Sequence, residues 1–332
     1  MTARRAEGTG EGNALRLSVT GRCNLRCAYC RPGIDDASGC STGRSRPDAA
    51  TPALDDLLHL AGLVIESCNV VKVRLTGGEP LTRPDIDVIV RRLGKLPGVA
   101  SIGVTTNGQL LETWARPLRE AGVDSVNVSL DSLRPGRYRA ITGGGSLRRV
   151  MAGLAAARES GMGKVKANFV VMGGVNDDEM ETALEAALEK GFELRFLELM
   201  SFAGSAEQYP RQFVSGERIL ERLSRSFDLR PLEGRSEQTA RMFAVGGGGR
   251  EGVVGIIASS DGRMCLDCNR IRITADGRLR RCLKDPFELD LAGMLREGMP
   301  RASIVERLED YLRTKSRPAP LAGAGSMLRI GG

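Results

Sequence analysis

Strand-like and helix-like runs alternate regularly through the first part of this 332-residue chain. Short apolar runs rich in β-branched residues are separated by longer segments whose apolar residues repeat at helical spacing. The predicted strands are Leu15–Val19, Val70–Leu75, Ser101–Thr105, Ser125–Ser129, Lys164–Val171 and Phe192–Leu199. The predicted helices between them are Pro52–Cys68, Pro84–Leu96, Leu110–Ala121, Ser146–Ser160 and Asp177–Lys190. This order predicts an α/β fold with a parallel sheet, either a partial barrel or a doubly wound sheet.

Polar or glycine-containing segments follow most of the predicted strands. A cysteine loop follows the first strand, Thr76–Pro80 the second, Thr105–Gly108 the third and Ser129–Asp131 the fourth, and the sixth strand runs into Glu198 and Met200. Each segment alone is a weak signal, since Thr-Gly-Gly-Glu-Pro is also an ordinary turn sequence. Because active sites of barrels collect at the carboxyl ends of their strands, the joint placement predicts a site at that rim.

Six of the eight cysteines form two triplets. The triplets are Cys23, Cys27 and Cys30, and Cys265, Cys268 and Cys282. The chain has no signal-peptide-like start and no apolar run of about 18 residues, so we expect a cytosolic protein in which clustered thiols bind metal. Structural zinc sites use four protein ligands. Two sites with three thiolates each fit iron–sulfur cubanes better, each with one iron open to another ligand.

The remaining cysteines and the one histidine are poor candidates for a fourth ligand. His59 falls off the apolar stripe of the first predicted helix, so we expect it on the surface. Cys68 lies on that stripe, as a core thiol does. Cys40 lies in the polar Gly33–Asp48 segment, where we predict a mobile loop and no ligand role for the thiol.

Beyond about residue 235 the alternation stops, and we predict a second unit centred on the second cysteine triplet. Asp276-Gly277 predicts a tight hairpin turn. Alternation along the preceding strand places Arg270 and Arg272 on one face and Ile271 on the other. The two arginines are either a solvated face or a pair of anion-binding groups beside a metal cluster, and their shared direction favours the second interpretation.

The formal net charge of +7 is compatible with two kinds of partner, a nucleic acid or a highly anionic small molecule. The chain has only four Tyr, eight Phe and one Trp. Binding of single-stranded nucleic acid relies on aromatic stacking, so the composition favours the small anion.

The spacing Cys-x3-Cys-x2-Cys with Tyr29 before the third thiol resembles that of the radical S-adenosylmethionine enzymes, and the glycine-rich segment Thr76–Pro80 supports the resemblance. The second triplet, the sequence Asn269–Arg272 and the terminal Gly331-Gly332 are similar to those of the GTP 3′,8-cyclase (MoaA) family of molybdenum-cofactor biosynthesis. The resemblance runs from about Leu15 to the last residue.

The resemblance implies a partial (β/α)6 TIM-like barrel over residues 13–235 and a smaller iron–sulfur domain over residues 236–315. A disordered leader (1–12) and a flexible tail ending in Gly-Gly (316–332) would flank them. Each cysteine triplet would hold a [4Fe-4S] cluster, with S-adenosylmethionine on the first and the guanine of GTP on the second. A 5′-deoxyadenosyl radical would remove the 3′ hydrogen of GTP, and the carbon radical would attack C8 to give 3′,8-cyclo-7,8-dihydro-GTP.

The resemblance also implies roles for individual residues. The residues expected to bind S-adenosylmethionine are Tyr29, Gly78, Ser129 and Met200. Those expected to bind GTP are Arg16, Lys72, Arg74, Thr105, Lys166, Arg195, Arg270 and Arg272. Those expected to be required for catalysis are Arg270, Arg272, Gly331 and Gly332. Alternation along the second strand is expected to turn Lys72 and Arg74 inward together.

The expected partners are GTP, an electron donor, the downstream cyclic pyranopterin monophosphate synthase that takes the product, and a second copy of the chain in a homodimer. We expect no stable nucleic-acid binding and no membrane association. Gly21 and Arg31 depart from the family pattern. They leave one alternative open, a radical S-adenosylmethionine paralogue acting on another nucleotide or a peptide. A zinc-stabilised nucleic-acid-binding protein is the alternative from another class.

Overall fold

One twelve-stranded sheet organises the chain in a computed structural model. The structure describes residues 12–30, 52–200, 209–232, 239–247, 249–260, 268–283, 285 and 287–313. Numbering the strands along the chain, their order in the sheet is β12-β11-β10-β1-β2-β3-β4-β5-β6-β9-β8-β7. The middle of the sheet therefore follows chain order, and the C-terminal segments add strands at both edges.

The central six strands pair with one another in parallel. They are β1 (Asn13–Ser18), β2 (Val70–Thr76), β3 (Ser101–Thr106), β4 (Ser125–Ser129), β5 (Lys164–Val171) and β6 (Glu193–Glu198). All six predicted strands are thus confirmed, with ends that differ by at most two residues. The predicted α/β fold with a parallel sheet is confirmed as well.

The other six strands come from the C-terminal part of the chain. They are β7 (Asp228–Pro231), β8 (Arg241–Gly247), β9 (Arg250–Ile257), β10 (Arg270–Ile273), β11 (Arg278–Arg280) and β12 (Leu289–Asp290). β9 pairs in parallel with β6, and β10 pairs in parallel with β1. The segment in which the sequence predicts a separate unit thus extends the same sheet on both sides, which no local pattern indicated.

The predicted hairpin at Asp276-Gly277 is confirmed. β10 and β11 are antiparallel, and the N–H of Gly277 donates to the carbonyl of Thr274 at 2.9 Å. Gly277 has a φ of 78°, a left-handed conformation that glycine adopts without strain.

Helices cover the outer face of the central strands. They are α1 (Leu54–Ser67), α2 (Ile86–Leu93), α3 (Leu111–Ala121), α4 (Pro135–Thr142), α5 (Leu147–Glu159), α6 (Met180–Lys190), α7 (Tyr209–Gln212), α8 (Gly216–Leu223), α9 (Leu291–Arg296) and α10 (Arg301–Arg313). The five predicted helices are confirmed within a few residues, whereas α4 was not predicted. As predicted, His59 is exposed and Cys68 is buried on α1. Across the described ranges, no helix has the length and apolar character needed to cross a membrane.

Alternation along the strands separates the apolar core from the site. On β1, Leu15 and Leu17 are fully buried in the core, whereas Arg16 lines a cavity on the other face of the sheet. β10 repeats the arrangement, with Ile271 in the core and Arg272 in the cavity. Because side chains of a strand point alternately to its two faces, an apolar core and a charged cavity share the same strands.

Two glycines after β2 allow the chain to pack directly against the start of the cysteine loop. A Cβ atom on Gly77, whose φ is 144°, would lie 2.3 Å from the carbonyl oxygen of Thr20, and one on Gly78 would lie 2.1 Å from that of Arg22. The N–H of Gly78 donates to the Thr20 carbonyl at 2.8 Å, and the next N–H, of Glu79, donates to the Arg22 carbonyl at 2.7 Å. The contact needs residues without a side chain at both positions.

We expect Gly78→Ala to disrupt this contact, because the added methyl group would force the two backbone segments apart. The free energy of unfolding should fall by about 1–3 kcal/mol, as in other overpacked sites. Anaerobic chemical denaturation followed by circular dichroism measures it.

Gly136→Ala in α4 is the matched control, since a Cβ there would meet no atom within 4 Å. Alanine favours helices over glycine, so this variant should be neutral or slightly more stable. Equal stability of the two variants would contradict the proposed packing.

Candidate active site

A cavity of about 290 Å³ lies at the carboxyl ends of the central strands. Predicted metal ligands and predicted S-adenosylmethionine contacts line it, namely Cys23, Cys27, Cys30, Cys268, Cys282, Tyr29, Gly78, Ser129 and Met200. Predicted GTP contacts line it too, namely Arg16, Thr105, Arg195, Arg270 and Arg272. One cavity therefore lies at the predicted rim, and the three thiols of the first triplet share it with Cys268 and Cys282 of the second.

Some predicted site residues do not line this cavity. Lys72 is exposed and does not line the cavity, and its expected role in GTP binding stays a prediction. Lys72 lies near the amino end of β2, at the opposite end of the strand from the rim. Arg74 and Lys166 lie on inward-facing strand positions without lining the cavity. Cys265, Gly331, Gly332 and Cys40 lie outside the described residues.

Backbone hydrogen bonds hold the first cysteine loop against the end of α4. The N–H groups of Arg26 and Ala28 donate to the carbonyls of Thr142 and Ile141, both at 3.0 Å. Within the loop, the N–H of Leu25 donates to Cys23 Sγ at 3.4 Å. A backbone donor to sulfur stabilises thiolate character, as expected of a metal ligand.

The three thiols of the first loop fit an iron–sulfur cubane by their chemistry, since three thiolates leave one iron open to another ligand. No three His, Cys, Asp or Glu side chains in the described ranges converge tightly enough to chelate one metal ion. Cys23, Cys27 and Cys30 lie close enough to one another to interact electrostatically. Burial raises the pKa of Cys27 well above its usual value, and the nearby Asp131, Cys30 and Cys23 raise it further.

Asp131 joins the cysteine loop to the ends of β4 and β5. The hydroxyl of Tyr29 donates to Asp131 Oδ2 at 2.7 Å, and the N–H of Val170 donates to Oδ1 at 3.0 Å. Burial raises the pKa of Asp131 to about 6. The burial of Tyr29 and the adjacent carboxylate raise the pKa of its hydroxyl, so the hydroxyl keeps its proton and donates. Sequence reasoning found the Ser129–Asp131 segment but not this contact.

Glu79 likewise joins the ends of β2 and β3 by accepting hydrogen bonds from both. Its carboxylate accepts from the hydroxyl of Thr106 at 2.6 Å, and from the N–H of Asn107 at 2.6 Å and of Leu81 at 3.0 Å. Burial raises the pKa of Glu79 to about 7, although these donors favour its charged form. The amide of Asn107 in turn donates to Asn24 Oδ1 at 2.7 Å, beside the first cysteine.

Glu198 is a third buried carboxylate at the rim, at the end of β6. One oxygen accepts from the N–H of Gly216 and the hydroxyl of Ser260, both at 2.7 Å. The other accepts from the N–H groups of Ser259 at 2.6 Å and Ser260 at 2.9 Å. Glu198 therefore holds the chain where it leaves β9 toward the second cysteine triplet. A charged residue at the end of an apolar strand was the only signal in the sequence.

Arginines form a positive cluster where β10, β1 and β2 meet, with Arg272 buried and Arg16 and Arg74 half-buried. Arg16 is paired in register with Arg272 on one side and with Arg74 on the other. Burial first, and then repulsion from Arg270, lowers the pKa of Arg272 to about 9. Burial first, and then repulsion from Arg272, holds the pKa of Arg16 well below its usual value. Buried like charges are costly, so an anion entering this part of the cavity would be bound strongly.

A second basic group lies on β5 and β6. Arg195 Nε donates to Glu193 Oε1 at 2.6 Å, and Lys166 Nζ lies 3.8 Å from the same oxygen. Both cationic side chains are almost fully buried. Glu193 compensates part of their charge, so the electrostatic cost of burial is lower here than in the arginine cluster.

Two protein-family models cover most of the chain. The model described as the radical SAM superfamily matches residues 17–187, and the model described as Molybdenum Cofactor Synthesis C matches residues 192–319. The first therefore contains the rim of the central strands and the first cysteine triplet. The second contains β9 and β10 and the second triplet.

Several bacterial proteins named GTP 3′,8-cyclase are similar to the chain. The one from Peptoclostridium acidaminophilum is 38% identical over 327 residues, which cover 96% of this chain and 95% of the relative. The one from Moorella thermoacetica is 40% identical over 293 residues, which cover 88% of this chain and 87% of the relative. The similarity therefore extends through both parts of the sheet.

A solved structure of Streptococcus suis SuiB bound to S-adenosylmethionine has a similar fold. The TM-score is 0.59 over 89% of this chain and 68% of that chain, with 14% sequence identity. At that identity the likeness concerns the fold alone, and it agrees with the predicted partial barrel.

We expect Tyr29→Phe and Asp131→Ala each to lower the free energy of unfolding by about 1–3 kcal/mol, because each leaves a buried polar group without its partner. Since both remove the same Tyr29–Asp131 hydrogen bond, the double variant should lose clearly less than the sum of the single losses. Anaerobic chemical denaturation of the metal-free protein measures all three.

Tyr209→Phe serves as the control, since Tyr209 packs its ring against Phe213 with the centroids 5.3 Å apart, and the substitution keeps that ring. It should leave stability nearly unchanged. Additive losses in the double variant would show that the Tyr29–Asp131 contact does not couple the loop to β4.

Proposed function

The chain belongs to the radical SAM superfamily and, within it, to the GTP 3′,8-cyclases, and we propose that it converts GTP to 3′,8-cyclo-7,8-dihydro-GTP as the first step of molybdenum-cofactor biosynthesis. The predicted family and enzyme class are thereby confirmed. One observation carries the proposal: Arg270 and Arg272 line the same cavity as the first cysteine triplet and as Cys268 and Cys282 of the second. A polyanionic substrate held there lies beside both clusters.

Two [4Fe-4S] clusters and S-adenosylmethionine are the cofactors of this reaction. Cys23, Cys27 and Cys30 would hold the first cluster, and Cys268 and Cys282, together with Cys265, the second. When bound, the first cluster and S-adenosylmethionine supply the one-electron chemistry that removes a hydrogen atom from an unactivated carbon. The protein contributes binding, orientation and exclusion of water.

The S-adenosylmethionine site is proposed at the rim next to the first cysteine loop. Tyr29 belongs to that loop, Gly78 packs on its start, and Ser129 lies two residues before Asp131, which binds Tyr29. Met200 lines the same cavity after β6. Because Glu79 and Asp131 hold these segments by hydrogen bonds, the site is organised before the cofactor arrives.

The GTP site is proposed deeper in the cavity, with the triphosphate on the arginine cluster. Guanidinium groups bind phosphate oxygens through two parallel hydrogen bonds, and burial strengthens these contacts. Guanidinium groups are available at both edges of the cavity: those of Arg16, Arg270 and Arg272 at one edge, and that of Arg195 at the other. Thr105, Arg74 and Lys166 complete the proposed GTP set. Gly331 and Gly332 are proposed to act at the same site.

The reaction also sets the partners we propose. A one-electron donor must supply the first cluster, and the cyclic pyranopterin monophosphate synthase would consume the product. We further propose a homodimer and a cytoplasmic location, where exposed thiols and iron–sulfur clusters persist in reduced form.

Anaerobic incubation of the reconstituted enzyme with reductant, S-adenosylmethionine and GTP tests the function. We expect release of 5′-deoxyadenosine that depends on GTP, together with a cyclised guanosine triphosphate detected by mass spectrometry.

Two outcomes of this incubation would contradict the proposal. Release that is independent of GTP but depends on ATP would indicate a paralogue for another nucleotide. Release that depends only on an added peptide would indicate a peptide-modifying enzyme. Uptake of zinc without iron–sulfur absorbance would exclude the whole radical mechanism.

Arg270→Ala and Arg272→Ala test the anion site. Each should lower kcat/KM for GTP by about 10–200-fold, because each removes a charged hydrogen bond of roughly 1.5–3 kcal/mol. Iron and sulfide content should stay at the level of the unmodified protein.

Arg278→Ala is the matched control on the same hairpin. Arg278 is 39% exposed, pairs with Asp290 at 3.1 Å, and does not line the cavity. Exposed ion pairs contribute little, so its kcat/KM should change less than about twofold. Similar losses for all three variants would indicate general damage to the hairpin.

A further inference from the structure

Asn127 lies inside the sheet between two residues of the proposed GTP site. It is on β4, paired in register with Thr105 of β3 and with Lys166 of β5. Asn127 and Ser129 point to the same face because they are two residues apart on one strand. Both line the cavity. Going down the strand from the rim, Asn127 is therefore the first cavity-lining residue below the proposed S-adenosylmethionine contact.

The side chain of Asn127 is buried with an unused hydrogen-bonding atom. It is only 7% exposed, and within the described ranges its Oδ1 has no hydrogen-bond partner. The hydroxyl of the adjacent Thr105 is also buried and has no hydrogen-bond partner within the described ranges. Lys166 Nζ lies 3.8 Å from Glu193 Oε1, and no described donor reaches Asn127 Oδ1. A buried polar atom without a partner is destabilising, and an amide at the wall of a cavity is satisfied when a ligand fills it.

We propose that Asn127 is a substrate-binding residue whose side-chain amide hydrogen-bonds a ribose hydroxyl of the nucleotide substrate. The inference rests on the proposed function. An amide both donates and accepts, and so does a sugar hydroxyl. S-adenosylmethionine also carries a ribose. The neighbours Thr105 and Lys166 favour the nucleotide, because both belong to the proposed GTP set.

The position of Asn127 gives this contact a consequence for specificity. β4 would bind the cofactor at Ser129 and the substrate sugar at Asn127, two residues apart on one rigid strand. The strand thereby fixes the distance between the cofactor and the sugar carbon that loses its hydrogen. A sugar without the bound hydroxyl would leave the buried amide unpaired, and sites of this kind reject such analogues.

Nucleotide binding without reductant tests the contact, since no turnover occurs. Anaerobic titration calorimetry on the reconstituted enzyme compares GTP with 2′-deoxy-GTP and 3′-deoxy-GTP. We expect Asn127→Ala to weaken GTP binding by about 5–20-fold. One deoxy analogue should bind the unmodified enzyme about as weakly as GTP binds the variant. The variant should no longer distinguish that analogue from GTP.

Asn127→Ser is the second variant, in case the alanine variant fails to fold. It keeps a polar group but shortens its reach, so the same loss of discrimination is expected. The affinity for S-adenosylmethionine and the iron content should be unchanged in both variants. Preserved discrimination between GTP and both deoxy analogues would overturn the proposal. A loss confined to S-adenosylmethionine would overturn it as well, and would assign Asn127 to the cofactor ribose.

The experiment distinguishes failure of the Asn127 proposal from failure of the proposed function. If the unmodified enzyme neither binds GTP nor releases 5′-deoxyadenosine in response to it, the function itself fails. If it does both while Asn127→Ala binds GTP unchanged, only the role of Asn127 fails.

Discussion

The parallel pairing of β10 with β1 is the constraint on which the rest of the site depends. It aligns Arg272 with Arg16 and continues through β1 to Arg74 on β2. Three arginines from distant parts of the chain thus occupy one row across three strands. Without this pairing, the hairpin between Cys268 and Cys282 would have no fixed position relative to the first cysteine loop. The pairing therefore creates the anion site and brings the two sets of thiols to one cavity.

This arrangement concentrates positive charge in a buried place. The lowered pKa values of Arg16 and Arg272 express the free-energy cost of desolvating several guanidinium groups side by side. Thiolates at Cys268 and Cys282 lie close enough to Arg272 to offset part of that cost. A triphosphate would offset much more. The cluster therefore has the character of a preorganised electrostatic site, as the proposed binding of GTP requires.

Three buried carboxylates hold the backbone segments of the rim in place. Glu79, Asp131 and Glu198 each end a strand segment, and each accepts hydrogen bonds from groups on other segments. They hold the cysteine loop, the glycine-rich turn and the chain leaving β9 at fixed positions. None of them needs to touch a substrate to matter, because errors of an ångström in the positions of these loops reduce catalysis strongly. Burial raises the pKa of Glu79 and Asp131, which is the cost of using a charged group as a structural support.

The sequence by itself determined the six parallel strands, the hairpin at Asp276-Gly277, the rim location of the site and the family. Those features depend on local patterns: period-two and helical repeats, turn residues and cysteine spacing. Only the tertiary structure decided that β9 and β10 join the two edges of the main sheet, that Lys72 lies outside the cavity, and that Asp131 binds Tyr29. Strand pairing and the partners of buried charges are set by contacts between residues far apart in the chain. The side-chain pattern of a strand specifies which of its faces is buried, but not which other strand lies beside it.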